Sequence, residues 1–282
     1  MPDCIETAPR ATSSVPVHPC DSNLDRLYHY EHFHPEYLAS LLRDQRIRCS
    51  NPARLNDPWD CRPWFDTKCL SSATVRKEVI AWFLMLDLGV QAAEADLENL
   101  ERAAERNPEI LERVTNNASR NAFQMFVADW CIYCLTPRPS STLMWSHYAD
   151  NHRGLCLEFA TDNELFRCAQ RVVYLSDYPV WQPHTLLATR IEEALLTKSD
   201  DWHYEEEYRV VARRSAAGGR AGDRVLISED GYLAIPAGAL KSVVVGCEAN
   251  YDLVLAIVKH YAPDLPVRRV VRAPNQYRLA ID

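Results

Sequence analysis

The densest run of reactive side chains lies at Lys198-Ser-Asp-Asp-Trp-His-Tyr-Glu-Glu-Glu-Tyr-Arg209, which leads into the β-forming residues Val210, Val211 and Ala212. Side chains alternate faces along a strand, so an extended reading puts Glu205, Glu207 and Arg209 on one face and Tyr204, Glu206 and Tyr208 on the other. Two carboxylates aligned with a guanidinium can hold a substrate hydroxyl, polarise a nucleophile or stabilise a developing cation. Arg209 would keep them ionised. The same row also suits a purely structural ion-pair ladder.

A second constellation runs from Met144 to Gly154 and contains Trp145, Ser146, His147 and Tyr148. Read as a turn ahead of a strand, it could line a pocket for a planar ligand, although aromatic side chains bury in cores as readily. His29 sits between Tyr28 and Tyr30 on an expected strand, and a turn-rich loop supplies Asn56, Asp57 and Asp60. A lone strand histidine and an Asn-Asp-Pro turn are each ordinary structural features.

Metal chemistry is not expected. Cys131-x-x-Cys134 has the internal spacing of half a zinc site, but it lies in an apolar strand that would face the two thiols apart, and no second pair matches it. His29, His32 and His34 lack the helical His-x-x-x-His spacing with a nearby Glu. Gly-x-Ser-x-Gly, Walker and Gly-x-Gly-x-x-Gly patterns are absent, and Gly218-Gly219 reads as a flexible, basic hairpin-like loop.

The elements that must position these residues follow from periodicity. Residues 1–23 carry prolines, Ser and Thr without an apolar period and read as a flexible leader. Residues 24–282 read as one domain. Arg26–Tyr30 reads as a strand, Pro35–Arg43 as a helix and Arg46–Cys49 as a strand. Residues 72–129 read as a helical insertion in two parts that meet at Asn107-Pro108. Short β-rich runs then follow at 130–135, 154–159, 171–174, 208–212, 232–235 and 242–246, with a helix at 252–261 and a last strand at 267–271. The pattern predicts an α+β fold: a mixed, mainly antiparallel central sheet with flanking helices and a helical insertion.

Composition narrows the function classes. With 47% hydrophobic and 25% charged residues the 282-residue chain has ordinary globular usage, so a buried core is expected rather than disorder. A net charge of −8 argues against a whole-surface nucleic-acid or anionic-membrane footprint. The ten cysteines are scattered through apolar runs and read as reduced thiols. The first residues lack a basic start and an apolar run, and no stretch is long enough to span a bilayer, so a cytoplasmic protein without membrane contact is expected.

In order, Leu27-Tyr-His-Tyr30, Leu55-Asn-Asp-Pro58, Met144-Trp-Ser-His-Tyr-Ala149 with Gly154, and Trp202-x-Tyr-Glu-x-Glu-Tyr-Arg209 resemble the bacterial family known as domain of unknown function 2971. A more distant likeness is to ADP-ribosyltransferase-like folds, which carry a first-strand His, a middle aromatic and a late-strand Glu. That resemblance implies NAD as substrate and an unidentified macromolecular acceptor, in a setting such as phage defence. It implies that His29 contacts the nicotinamide ribose, that Tyr148 stacks on nicotinamide, and that Glu207 stabilises positive charge at the anomeric carbon. Tyr30, Asn56, Asp57, Trp145 and His147 join the candidate NAD-binding set, and Glu205 and Arg209 the candidate catalytic set. The Ser-Thr-Ser-type middle motif is absent, and the residues do not decide between Glu205 and Glu207. The rival reading is a non-catalytic ligand-sensing or interaction module. A nucleic-acid role, with Arg213, Arg214, Arg220 and Arg224 guiding phosphate, is less favoured on the acidic total.

Overall fold

Alternating apolar residues sort the short β-rich runs into two main sheets, with helices packed against them. The computed structural model describes residues 17–62, 64–87, 94–178, 180–181, 193–214 and 226–282. The Gly218-Gly219 loop with Arg220 and Arg224, and leader residues 1–16, lie outside the described residues.

Strand β1 (Arg26–Glu31), helix α1 (Pro35–Asp44) and strand β2 (Arg46–Arg48) follow the expected order, and β3 (Trp64–Phe65) comes after the Asn56–Asp60 loop. The insertion holds α2 (Ala73–Asp87), α3 (Glu94–Arg106) and α4 (Pro108–Ala128). Its break at Asn107-Pro108 is where the pattern put it, since proline suits a first helical position. The part before that break is itself two helices.

Next come β4 (Trp130–Leu135), α5 (Thr142–Tyr148), β5 (Leu155–Ala160), β6 (Gln170–Arg171), β7 (Val173–Leu175), β8 (Val180–Trp181) and β9 (Thr197–Ser199). The run at 171–174, expected as one strand, divides at Val172: β6 pairs with the strand at 208–213, and β7 pairs with β9. The segment expected as a turn at 145–148 is helical, capped by the Ser141 hydroxyl. The last elements are β10 (Tyr208–Arg213), β11 (Leu226–Ile227), β12 (Tyr232–Ala234), β13 (Leu240–Val245), α6 (Tyr251–Tyr261), β14 (Val267–Arg272) and β15 (Leu279–Ile281).

The first sheet has the order β1-β5-β13-β14-β15, antiparallel except for β13 with β14. The second has the order β11-β10-β4, with β6 also on β10. Here β4 and β6 run antiparallel to β10 and β11 runs parallel. The fold is therefore α+β with mixed, mostly antiparallel sheets. Tyr28 and Thr136 exchange two backbone hydrogen bonds of 2.8 Å, which stitch the start of the first sheet to the end of β4.

Alternation decides which side chains fill which layer. Leu27, Leu157, Phe159, Val243 and Val245 of the first sheet meet Cys131, Tyr133, Leu135, Tyr208 and Val210 of the second, together with Leu38 and Leu41 of α1 and Val254 and Val258 of α6. On the first sheet's other face, Tyr30, Cys156 and Val244 pack under Met144 and Trp145 of α5. On the second sheet's other face, Ile132 packs with Phe123 and Val127 of α4, Trp181 and Leu195. Cys131 and Cys134 accordingly face different layers. Among the described residues no helix is long and apolar enough to cross a membrane.

The leader boundary expected at residue 24 falls after a docked segment. Residues Pro19–Ser22 form a 3₁₀ helix with Pro19 buried, His18 Nδ1 lies 3.0 Å from the Ala169 carbonyl, and Tyr208 donates to the Ser22 hydroxyl at 3.0 Å. One buried proline and isolated polar contacts are too few to leave an apolar period, which is why the sequence pattern misses them.

Two glycines set how closely α5 rides on the first sheet. A Cβ on Gly154 would stand 2.2 Å from the Glu31 carbonyl oxygen and 2.7 Å from Ala149 Cα, and one on Gly246 would stand 2.1 Å from the His152 carbonyl oxygen. The obstructing atoms are backbone, so nothing flexible can yield. Gly154→Ala should therefore lower unfolding free energy by about 2 kcal/mol or more, read as a lower urea midpoint at unchanged slope. An unaltered midpoint would refute the close-approach account.

Candidate functional site

The carboxylate run does not enter the sheet as an extended ladder. After β9 ends at Ser199, residues Asp200–Glu205 form a 3₁₀ helix whose start is capped by the Ser199 hydroxyl. Glu206 then takes a left-handed conformation, φ 47° and ψ 46°, and β10 begins only at Tyr208. Asp, Ser and Asp at the turn favour local side-chain hydrogen bonds over strand geometry, which is the reason the alternation argument fails there. The reversal carries Glu205 back beside Lys198 on β9.

Lys198 is the centre of the resulting cluster. Its Nζ donates to Glu205 Oε2 at 2.5 Å and Glu207 Oε2 at 3.3 Å, and stands 3.8 Å from Asp60 Oδ2. Arg209 forks onto two carboxylates: Nε and Nη2 meet Glu207 at 2.8 and 2.9 Å, while Nη1 and Nη2 meet Asp60 at 3.0 and 2.7 Å. Its Nη1 also donates to the Leu195 carbonyl at 2.7 Å. Tyr148 on α5 donates to Glu205 Oε1 at 2.5 Å, and Thr136 donates to the Glu205 carbonyl at 2.6 Å. Three carboxylates face two cations, all of them buried.

These environments separate the two glutamates. Burial raises the Glu205 carboxyl above its ordinary range, and the Glu207 charge adds to this while Lys198 and Tyr148 oppose it. Burial acts on Glu207 in the same direction, but the charges of Arg209 and Lys198 outweigh it and hold that carboxyl at about 2. The same two glutamates lift the Lys198 ammonium above its usual range against the opposing effect of burial. A carboxylate pair pushed apart in this way divides into a permanent charge and a group able to exchange a proton.

A cavity of about 390 Å³ opens above the cluster. It is lined by His29, Tyr30, Asn56, His147, Tyr148, Lys198, Glu205 and Glu207, so the structure unites seven of the residues singled out in the sequence with Lys198. His29 stacks on Tyr133 with ring centroids 4.1 Å apart, and its Nδ1 lies 2.7 Å from the Cys134 carbonyl. Burial lowers that imidazole to about 4, so at neutral pH it is uncharged and Nδ1–H is the donor. Tyr30 turns its hydroxyl to the Arg138 carbonyl at 2.5 Å.

Three candidates lie elsewhere. Trp145 is fully buried under the first sheet, with its indole N–H donating to the Pro139 carbonyl at 2.9 Å, and does not line that cavity. Arg209 is fully buried behind Glu207 and does not line that cavity. Asp57 lines a second, outer groove of about 1120 Å³, which shares Asn56, His147 and Lys198 with the inner cavity. Arg213 stacks over Trp130 at 5.4 Å, away from both.

Lys198 and Asp60 stand in segments that motif reading singled out, but that reading gave neither a role in the carboxylate cluster. Lys198 stands seven residues before Glu205, a separation with no strand or helix meaning until the 3₁₀ turn folds it back. A lysine inside an otherwise β-forming stretch was the available signal.

Removing the central cation tests the cluster. Lys198→Met would leave Asp60, Glu205 and Glu207 around Arg209 alone and should cost about 3–5 kcal/mol near neutral pH. The Glu205 pKa is raised on folding, so the folded chain holds the extra proton and stability falls as pH rises through that window. The deficit relative to wild type should therefore shrink when urea unfolding is repeated at pH 5 instead of pH 8. A deficit independent of pH would contradict this.

Residues 144–210 carry most of α5, with Tyr148, Lys198, Glu205, Glu207 and Arg209. No curated protein and no solved structure matches the chain. It is over residues 144–210 that the chain matches the family described as protein of unknown function (DUF2971).

Proposed function

We propose that this protein is an ADP-ribosyltransferase-like enzyme that breaks the nicotinamide–ribose bond of NAD, with Glu205 as the catalytic carboxylate. The observation that carries the reading is the Tyr148–Glu205–Lys198–Glu207 network on the floor of the inner cavity, backed from beneath by Arg209. Its volume of about 390 Å³ falls within the range of roughly 300–1,000 Å³ typical of small-molecule sites.

The chemistry makes one electrostatic demand. When the C1′–N bond breaks, its electron pair leaves on the nicotinamide nitrogen, the ring becomes neutral, and positive charge develops on ribose C1′ and O4′. A preorganised carboxylate facing that charge lowers the barrier. Asp60, Glu205 and Glu207 outnumber Lys198 and Arg209 by one charge, so the cavity floor favours a cation. Tyr148 and Lys198 fix the direction of the Glu205 carboxylate, and the raised pKa of that group suits it to take the proton released when a nucleophile adds at C1′. Glu207, held by Arg209 and Lys198, then serves to position rather than to react. Uncharged His29 and the edges of Tyr30 and His147 supply hydrogen-bonding and stacking walls for the riboside.

The test pairs two isosteric variants. Incubating purified protein with NAD should release nicotinamide, and Glu205→Gln should reduce that release at least about a hundredfold, or about 2.7 kcal/mol in barrier, while shifting the unfolding midpoint little. Glu207→Gln should instead unfold more readily, by about 3–5 kcal/mol, because Arg209 is left buried beside Asp60 alone. Wild-type protein that binds NAD without releasing nicotinamide would favour the ligand-sensing alternative and overturn the enzyme reading.

A further inference from the structure

The outer groove contains two large aromatic side chains that folding leaves in water. Trp59 is 63% exposed and Trp64 is 52% exposed, and Trp202, Tyr178 and Tyr204 extend the same wall. Aromatic surface of this size, left together at the mouth of a cavity, marks a contact surface. The groove's polar complement is acidic: Asp57, Asp177 and Asp201 line it against Arg62 and Lys198, and the Lys198 charge is already neutralised by Glu205 and Glu207. Asp57 adds a separate sign. It is only 3% exposed, its Oδ1 accepts from the Trp59 backbone N–H at 2.9 Å, and its Oδ2 is buried without a hydrogen-bond partner. An unsatisfied buried carboxylate oxygen is costly unless a donor arrives to meet it.

We propose that this groove is a docking site for an arginine side chain of a protein partner. A guanidinium is the group that meets all three features, because it is cationic, donates in a planar fork to a carboxylate and stacks flat on an indole. A lysine ammonium lacks the plane, and a phosphate would be repelled by the three aspartates. The groove already accepts such packing from within the chain, since the Arg120 guanidinium stands 5.9 Å from the Trp64 ring centroid. Because Asn56, His147 and Lys198 line both spaces, the docked side chain would lie at the mouth of the inner cavity. The inference rests on the groove's own residues and goes beyond the NAD reading.

The probe is the peptide acetyl-Gly-Ala-Arg-Ala-Gly-amide, titrated into the full chain without NAD and followed by calorimetry and tryptophan fluorescence. Peptides carrying citrulline or lysine in place of arginine are the controls. The arginine peptide should bind at least tenfold more tightly than the citrulline peptide and at least threefold more tightly than the lysine peptide. Asp57→Asn and Trp59→Ala should each weaken it at least fivefold. Asp57 is buried and its replacement can unfold the loop, so the exposed Trp59→Ala variant, with an unchanged unfolding midpoint, carries the test independently. Equal binding of arginine and citrulline peptides, no saturable binding, or full affinity in Trp59→Ala would each overturn the proposal. The assay contains no NAD, so failed nicotinamide release would leave its result intact.

Discussion

Arg209 is the interaction on which the site depends. A guanidinium removed from water loses hydration worth several kcal/mol even after relaxation, and it is tolerated only where its donors and charge are met in place. Here Glu207, Asp60 and the Leu195 carbonyl meet them, with Cys61 Sγ 3.3 Å from Nη1. Those partners come from the start of β10, the Asn56–Asp60 loop and the approach to β9. One buried side chain therefore holds together three stretches far apart in sequence, and it does so beside the apolar contacts of α4 with the second sheet.

Saturating Arg209 leaves the remaining groups with an imbalance that the cavity inherits. Glu207 is committed to the clamp and stays ionised to about pH 2, whereas Glu205 is held by Lys198 and Tyr148 among the described residues and lies higher in pKa. The pair is held apart by geometry. Glu206 in the left-handed region ends the 3₁₀ helix and lets consecutive odd-numbered carboxylates approach one lysine from different directions. Glu206 itself is paired outward with Arg138, whose carbonyl in turn receives the Tyr30 hydroxyl. The inner cavity is thus bounded by elements of both sheets, joined where Tyr28 bridges to Thr136.

Strands and helices with a clear period were legible without coordinates. The apolar alternation at 130–135 and 208–212 and the helical stripe at 35–43 each mark an element that the structure contains with end shifts of about a residue. Periodicity worked there because burial of one face is decided locally. It failed at 198–207, where Ser199 and the aspartates gave the backbone local hydrogen-bond partners and broke the expected strand into a turn. It could not see the docking of 18–22, which rests on one buried proline and isolated polar contacts.

The chemistry-bearing residue types and the α+β class were determined by the sequence itself, because residue identity and face periodicity are local properties. His29, Asn56, His147, Tyr148, Glu205 and Glu207 stood out by type, and they do share one cavity. Which glutamate Arg209 clamps and which is held by Lys198 and Tyr148, that Lys198 stands between them, and that Arg209 and Trp145 are fully buried were decided only by tertiary structure. Those outcomes depend on the burial and charge of groups brought together from positions 60, 148, 198 and 209. No spacing along the chain encodes the electrostatic environment that such a meeting creates.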